Sequence, residues 1–342
     1  MIRRKDYFGS LAVLVLALWA GVCSARTPSG PFERFEVLTG GGPDVPQARI
    51  VGWYLPAKPA SGGKPHGTLF ICHGYNQSKE GLAGWEWIRD KLGWDVVMFD
   101  FRRHGESSNP WPPSTLGYYE AWDLRAVIDW AEKRGSARPF AAYGVSMGAA
   151  TALREASDDP RITGVLAVSP FRNALVGAEE MMASKHATWL GEHLMPPDYR
   201  ETLAKVDIVR DVAKRSDLRV WIMSGERDCF PPADQRAILA GCASPDRLKR
   251  LVIAPGKTHH NVWTWKGDGV LPGHDEYVRA FLSETATDQR GTRWKTPMIV
   301  MALVGVGAIP VLMRRGTRGR REDRPGDGPA LVDSDGSGNP DK

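Results

Sequence analysis

The chain has 342 residues, with 45 Lys and Arg against 40 Asp and Glu, 42% apolar residues and 4 cysteines. Its formal charge of +5 divides into +2 within residues 1–25 and +1 within 314–342, which leaves +2 for 26–313 and no electrostatic footprint for nucleic acid. None of the cysteines has metal-ligand spacing, no internal repeat is visible, and with both ends set aside the length fits one doubly wound α/β domain.

Residues 1–25 join Arg3, Arg4 and Lys5 to an apolar run over 11–22 and then to the small residues of Cys23-Ser24-Ala25. This is the pattern of an export signal peptide, and an uncleaved amino-terminal anchor would share it. Residues 26–47 are rich in Pro and Gly and read as a tether with an edge strand over 34–38. A second strand follows over 48–55. From Thr68 onward strands and helices alternate, with strands at 68–72, 94–99, 139–145, 162–168, 219–224 and 250–254.

Between the second and third of these strands, Leu124, Val127, Ile128 and Ala131 recur at helical spacing, with Glu120 and Asp123 read as solvated or capping groups. A final helix spans about 275–284. The alternation predicts an α/β fold, a mainly parallel sheet with helices on both faces, in one domain over 48–286. Residues 171–215 interrupt it with Met181, Met182, Trp189, Leu190 and a Pro196-Pro197 break. They read as a small cap insertion or as ordinary helices on the sheet's flank.

Beyond the domain, 297–313 holds no charge and is near the lower limit of length for a helix crossing a bilayer. Arg314, Arg315, Arg318, Arg320 and Arg321 follow. The positive-inside rule then makes 314–342 a cytoplasmic tail, basic and then disordered, and leaves the domain exported and membrane-anchored. A buried core helix is the alternative reading of 297–313.

The stretch that carries chemistry is Gly144-Val145-Ser146-Met147-Gly148, between the apolar strand 139–145 and the helix formers of 149–155. A serine on so sharp a strand-to-helix turn needs small neighbours, which Gly144 and Gly148 supply, and Ser146 becomes a candidate nucleophile. Such a serine needs a base and an acid to orient that base. The strand 219–224 runs into Gly225-Glu226-Arg227-Asp228, and the strand 250–254 into Pro255-Gly256-Lys257-Thr258-His259-His260. Asp228 is the candidate acid. His259 is the candidate base, with His260 as the neighbouring alternative. An oxyanion hole needs two backbone N–H groups, and Met147, after the serine, and Tyr75, in the loop after strand 68–72, fit those posts.

The stretches ICHGYNQSKEG, GWDVVMFDFRRHGES, YGVSMGAATAL and MSGERD followed by PGKTHH resemble the alpha/beta-hydrolase superfamily, over roughly residues 48–285. Residues 93–130 are especially similar to bacterial serine hydrolases related to serine aminopeptidases and prolyl-oligopeptidase-like domains. The resemblance implies a Ser-His-Asp triad in that chain order, no cofactor and no metal. It assigns Asp100, Arg102, Arg103 and His104 to shaping a loop near the site rather than to chemistry. A carboxylic ester or amide, small-molecule or peptide, is the implied substrate. An aminopeptidase would need acidic residues to hold a substrate ammonium, for which Glu179, Glu180 and Glu192 are available. A non-catalytic binding module at the membrane surface is the alternative from another class.

Of the remaining features, Cys72 reads as a core residue, while Cys229 and Cys242 could pair if the loop after Asp228 folds back. Trp111, Trp263 and Trp265 flank the site and could line a groove. Oligomeric state is not legible in these residues.

Overall fold

The computed structural model describes residues 27–40, 45–58, 62–82, 84–108, 114–184 and 197–288. The expected signal peptide, the span over 297–313, the tail over 314–342, and Trp111, Trp189 and Glu192 lie outside the described residues. No helix among the described residues is long and apolar enough to cross a membrane.

Eight described strands form one sheet: β1 (Glu33–Leu38), β2 (Arg49–Leu55), β3 (Thr68–Cys72), β4 (Asp95–Phe99), β5 (Phe140–Val145), β6 (Ile162–Val168), β7 (Arg219–Gly225) and β8 (Lys249–Ala254). Their order across the sheet is β1-β2-β4-β3-β5-β6-β7-β8. β1 and β2 run antiparallel to their neighbours, and every pairing from β4 to β8 is parallel. Around it stand α1 (Glu86–Leu92), α2 (Glu120–Lys133), α3 (Met147–Asp158), α4 (Ala174–Ser184), α5 (Pro197–Ala204), α6 (Ile208–Val212), α7 (Pro232–Gly241) and α8 (residues 274–288).

The central strands are apolar at almost every position because both sheet faces are covered. Alternate residues still part to opposite sides. Phe70 and Cys72 join one core with Leu124 and Val127 of α2 and Leu153 of α3, while Leu69 and Ile71 join the other with Ile88 of α1 and Phe281 of α8. Each such aliphatic or aromatic side chain contributes roughly 1.5–3 kcal/mol by leaving water. Between β6 and β7, Ala174 of α4 and Ile208 and Val212 of α6 belong to the first of these cores, so these helices bear on the sheet's flank.

The strand order fixes where a site can form. β3 is followed in sequence by β4 on one side and adjoined by β5 on the other, so the connections leave their carboxyl ends in opposite directions and open a crevice there. The β3–β5 register sets Cys72 opposite Gly144, which brings the loop after β3 beside the turn after β5.

The expectation that Glu120 and Asp123 are solvated is corrected. Both are fully buried. Asp123 takes a bidentate pair from Arg102, itself 1% exposed, with Nη2 donating to Oδ1 at 2.7 Å and Nε to Oδ2 at 3.1 Å, and also accepts the Arg102 N–H at 2.9 Å. Glu120 accepts from the Ser114 and Thr115 hydroxyls and from the Thr115 and Gly117 amides. Arg102 comes from a distant loop and the partners of Glu120 from the loop just before α2, and helical periodicity foresees neither.

Removing one member of a buried pair strands the other charge. Asp123→Ala is expected to lower stability by about 3–5 kcal/mol, and Arg102→Met with Asp123→Leu to recover most of that. Urea unfolding of the single and double variants measures both.

Candidate active site

Ser146 stands between β5 and α3 at φ 54° and ψ −116°, a backbone state that costs a non-glycine residue about 1–3 kcal/mol. The surroundings hold it there. Its N–H donates to the Val168 carbonyl of β6 at 2.8 Å. A Cβ on Gly144 would lie 2.3 Å from the Gly148 carbonyl oxygen, and one on Gly148 would lie 2.2 Å from that of Cys72. The two glycines therefore let the start of α3 close against the ends of β5 and β3.

The adjacent parallel strands deliver the other groups to the same edge. After β8 the chain doubles over the end of β7, where a Cβ on Gly225 would lie 2.2 Å from the Lys257 carbonyl oxygen and where Arg227 N–H donates to that oxygen at 2.8 Å. This approach carries His259 back toward Ser146. His259 Nε2 lies 3.0 Å from Ser146 Oγ, and Nδ1 lies 2.8 Å from Asp228 Oδ1. A carboxylate only accepts, so Nδ1 carries the proton and Nε2 accepts from the serine hydroxyl. His260 is exposed, with its ring perpendicular to that of His259, and His259 is the histidine that meets Ser146.

The Asp228 side chain is fully buried. Burial alone would raise its carboxyl, but the hydrogen bond and charge of His259, with the Ser169 hydroxyl and the Phe230 amide, hold it below the usual carboxylate range. Ser169 Oγ donates to Oδ2 at 2.5 Å, Ser224 Oγ at 3.2 Å, and Phe230 N–H to Oδ1 at 3.0 Å. Sequence reading misses Ser169. It directly follows β6, which lies between the strands that lead to Ser146 and Asp228, and like Ser146 it has a positive φ, 53°.

Met147 opens α3, so its N–H has no intrahelical acceptor. Tyr75 lies in the loop after β3, between Gly74, whose N–H donates to Gln77 Oε1, and Asn76, whose N–H donates to His104 Nε2. The amides on either side of Tyr75 are thus engaged. Its ring is half exposed. His73 is fully buried, with Nδ1 donating to the Gly74 carbonyl and Nε2 accepting from Phe101 N–H. Burial, with the ring of His104 beside it, pushes its imidazole down to about 3.

Two groups of described residues bring three metal-ligating atoms within 4.8 Å of one another. In Glu80, Asp100 and Glu106 the place of a cation is taken by the buried Lys79 ammonium, at 3.0, 2.7 and 2.7 Å. In Asp228, Cys229 and His259 the histidine and carboxylate are already bonded to each other. Trp263 and Trp265 are partly buried and pack against the sheet's second core. Glu179 is paired with Arg200 at 2.7 Å. Glu180 Oε2 and Asp234 Oδ2 are buried with no hydrogen-bond partner.

A family model described as the alpha/beta hydrolase fold matches residues 67–198. The uncharacterized protein YqkD of Bacillus subtilis (strain 168) is 34% identical over 87 residues, a match spanning 25% of this chain and 28% of that protein. Among solved structures, the alpha/beta hydrolase GrgF from Penicillium sp. sh18 superposes with a TM-score of 0.57 at 18% identity, over 75% of this chain and 100% of that one. The Pyrococcus furiosus esterase Pf2001 gives 0.55 at 20% identity, over 75% and 93%. Est1E from Butyrivibrio proteoclasticus, solved with ferulic acid bound, gives 0.53 at 19% identity, over 71% and 96%. These likenesses establish the fold.

Cys72, Cys229 and Cys242 are free thiols, so the possible pairing of Cys229 with Cys242 is not made. Burial and the adjacent Asp228 carboxylate push the Cys229 thiol up to about 12, and only the thiolate is nucleophilic. Iodoacetamide at mildly alkaline pH is therefore expected to leave Cys229 unmodified in the folded chain and to alkylate it in urea. Peptide mass mapping of both samples checks this.

Proposed function

We propose that this chain, whose fold is that of the alpha/beta hydrolases, is a serine hydrolase cleaving a carboxylic ester or amide through an acyl-enzyme. The observation that carries the reading is the unbroken hydrogen-bonded line from Ser146 Oγ through His259 to Asp228. In the proposed cycle Ser146 Oγ attacks the carbonyl carbon as its proton passes to His259 Nε2. Asp228 stays ionised, fixes the tautomer and stabilises the imidazolium. The Met147 and Tyr75 amides take the charge on the carbonyl oxygen, where one donor typically accounts for roughly 100- to 1000-fold in turnover. His259 then protonates the leaving alcohol or amine, and a water molecule, deprotonated by the same imidazole, releases the acid.

Two of the structural relatives named above are an esterase and a ferulic acid-bound protein, which supports esters as the first substrates to test. The charge pattern of residues 1–25 and the uncharged stretch 297–313 support an exported, membrane-anchored setting. The full chain is expected to hydrolyse short p-nitrophenyl esters and to take a fluorophosphonate on Ser146. Ser146→Ala should lower kcat/KM by at least ~10⁴-fold. Equal activity in the two chains, or no labelling of folded wild type, ends the proposal and favours a non-catalytic module.

A second reading, a peptidase that engages a free amino terminus, is favoured by the orphan oxygens of Glu180 and Asp234. Burial and the Asp234 charge raise the Glu180 carboxyl, against the opposing charge of Arg172, which meets Asp234 Oδ1 at 3.3 Å, and a bound ammonium at the two orphan oxygens would lower it further. Phe171 and Phe230, which shortly precede α4 and α7 in sequence, are in edge contact, and Phe230 in turn meets the His259 ring. If this reading is right, aminoacyl anilides outpace acyl esters of similar size and Glu180→Gln raises KM for the anilides alone. Kinetics on a paired panel decide it.

A further inference from the structure

The loop of residues 73–79 carries the Tyr75 amide, and polar contacts at His73, Asn76 and Lys79 hold it to the loop of residues 100–107. At one end Phe101 N–H donates to His73 Nε2 at 3.0 Å. At the other, Asp100 accepts from Lys79 N–H and from Lys79 Nζ, each at 2.7 Å. The middle contact adjoins Tyr75 itself: Asn76 N–H donates to His104 Nε2 at 3.1 Å. Asn76 has φ 60°, a left-handed state that asparagine accepts more readily than most residues, and the bond to His104 holds its amide in that turn. His104 is 8% exposed, and its Nδ1 donates to the Arg102 carbonyl at 2.9 Å. That bond fixes the tautomer and leaves Nε2 as the acceptor. Arg102 is anchored in turn on Asp123. The strand-end polar run Asp100-Phe101-Arg102-Arg103-His104 is therefore a bracket for the loop opposite.

We propose that His104 is a positioning residue for the oxyanion hole, whose neutral imidazole aims the Tyr75 amide, so that turnover depends on the protonation of His104 as well as of His259. The inference rests on the serine hydrolase reading. When His104 takes a second proton, Nε2–H faces Asn76 N–H, two donors oppose each other, and the contact becomes repulsive. Asn76 loses the contact that holds its turn, and the neighbouring Tyr75 amide turns from the crevice.

The groups facing His104 come from three elements. Its own loop supplies Asp100, Arg103 and the Arg102 carbonyl; the loop after β3 supplies His73, at 4.9 Å between ring centres, and Tyr75, at 5.8 Å; α2 supplies Glu120. Burial outweighs the rest and holds the imidazole below the usual histidine range, with the Arg102 carbonyl, Glu120 and Asp100 opposing and Arg103 adding to it. His104 is therefore neutral at neutral pH, and the contact fails only on acidification.

Two variants of the full chain test this with a p-nitrophenyl ester, turnover being normalised to the fraction labelled by a fluorophosphonate. His104→Phe keeps a ring but has no acceptor, and is expected to lower kcat about 10- to 100-fold with little change in KM. His104→Gln can present Oε1 to Asn76 N–H and does not titrate. It is expected to keep most of the wild-type kcat at neutral pH. On acidification, kcat/KM of wild type should fall more steeply than that of His104→Gln, with up to the inverse second power of the proton concentration over the roughly 10- to 100-fold range that the contact accounts for, whereas His104→Gln follows the inverse first power throughout. Unchanged kcat in His104→Phe overturns the proposal, as does an acid limb in His104→Gln identical to that of wild type. If His104→Phe does not fold, the His104→Gln profile decides alone. A wild-type chain that neither turns over ester nor takes the label overturns the hydrolase reading first, and this inference with it.

Discussion

The main-chain contact between the start of α3 and the end of β3 governs the architecture of the site. At Gly148 the two backbones approach so closely that a single methyl group would sit 2.2 Å from the Cys72 carbonyl oxygen. That approach places the free amide of Met147 beside the loop of Tyr75 and sets Ser146 at the apex between them. Neighbouring parallel strands then bring Ser169, Asp228 and His259 to the same edge. The geometry is made by backbone packing first, and the polar side chains complete it.

Around this contact lies a layer of buried charge. Lys79 is enclosed by Asp100, Glu106 and Glu80 and lies 4.8 Å from the centre of the Trp53 ring, while Arg102 is clamped by Asp123. Buried ion pairs of this kind contribute little net stability compared with apolar replacements. What they supply here is direction. Each ties one of the two loops that flank the crevice to a fixed point, and their hydrogen bonds reach main-chain amides at Lys79, Arg102 and Glu106.

Much of this plan can be read from the residues alone because each principal group follows a short apolar strand. The strands at 68–72 and 162–168 agree with the structure to the residue, and the others shift by one at an end. Ser146, Asp228 and His259, selected for their places after strands, meet within hydrogen-bonding distance. The supporting groups escape notice for a physical reason. Ser169 precedes a proline at an ordinary strand end, and its bond to Asp228 exists only because β6 lies between β5 and β7, an order no local pattern encodes. Glu120 and Asp123 look like acids that complement a helix start. They are buried by partners on preceding loops, and from helical spacing alone a capping carboxylate and a buried one are indistinguishable.

The half-exposed ring of Tyr75 separates two properties that side chains usually couple. In the proposed cycle this position serves through a main-chain hydrogen, and its ring, in edge contact with His104 on one side, takes no part in the chemistry. It stands in solvent near Tyr199, whose hydroxyl donates to the Ser114 carbonyl on the far side of the crevice. Any residue that accepts the same turn would keep the polarising dipole where it is while remaking the doorway. Selectivity at this gate can thus drift without disturbing the bond-breaking machinery behind it.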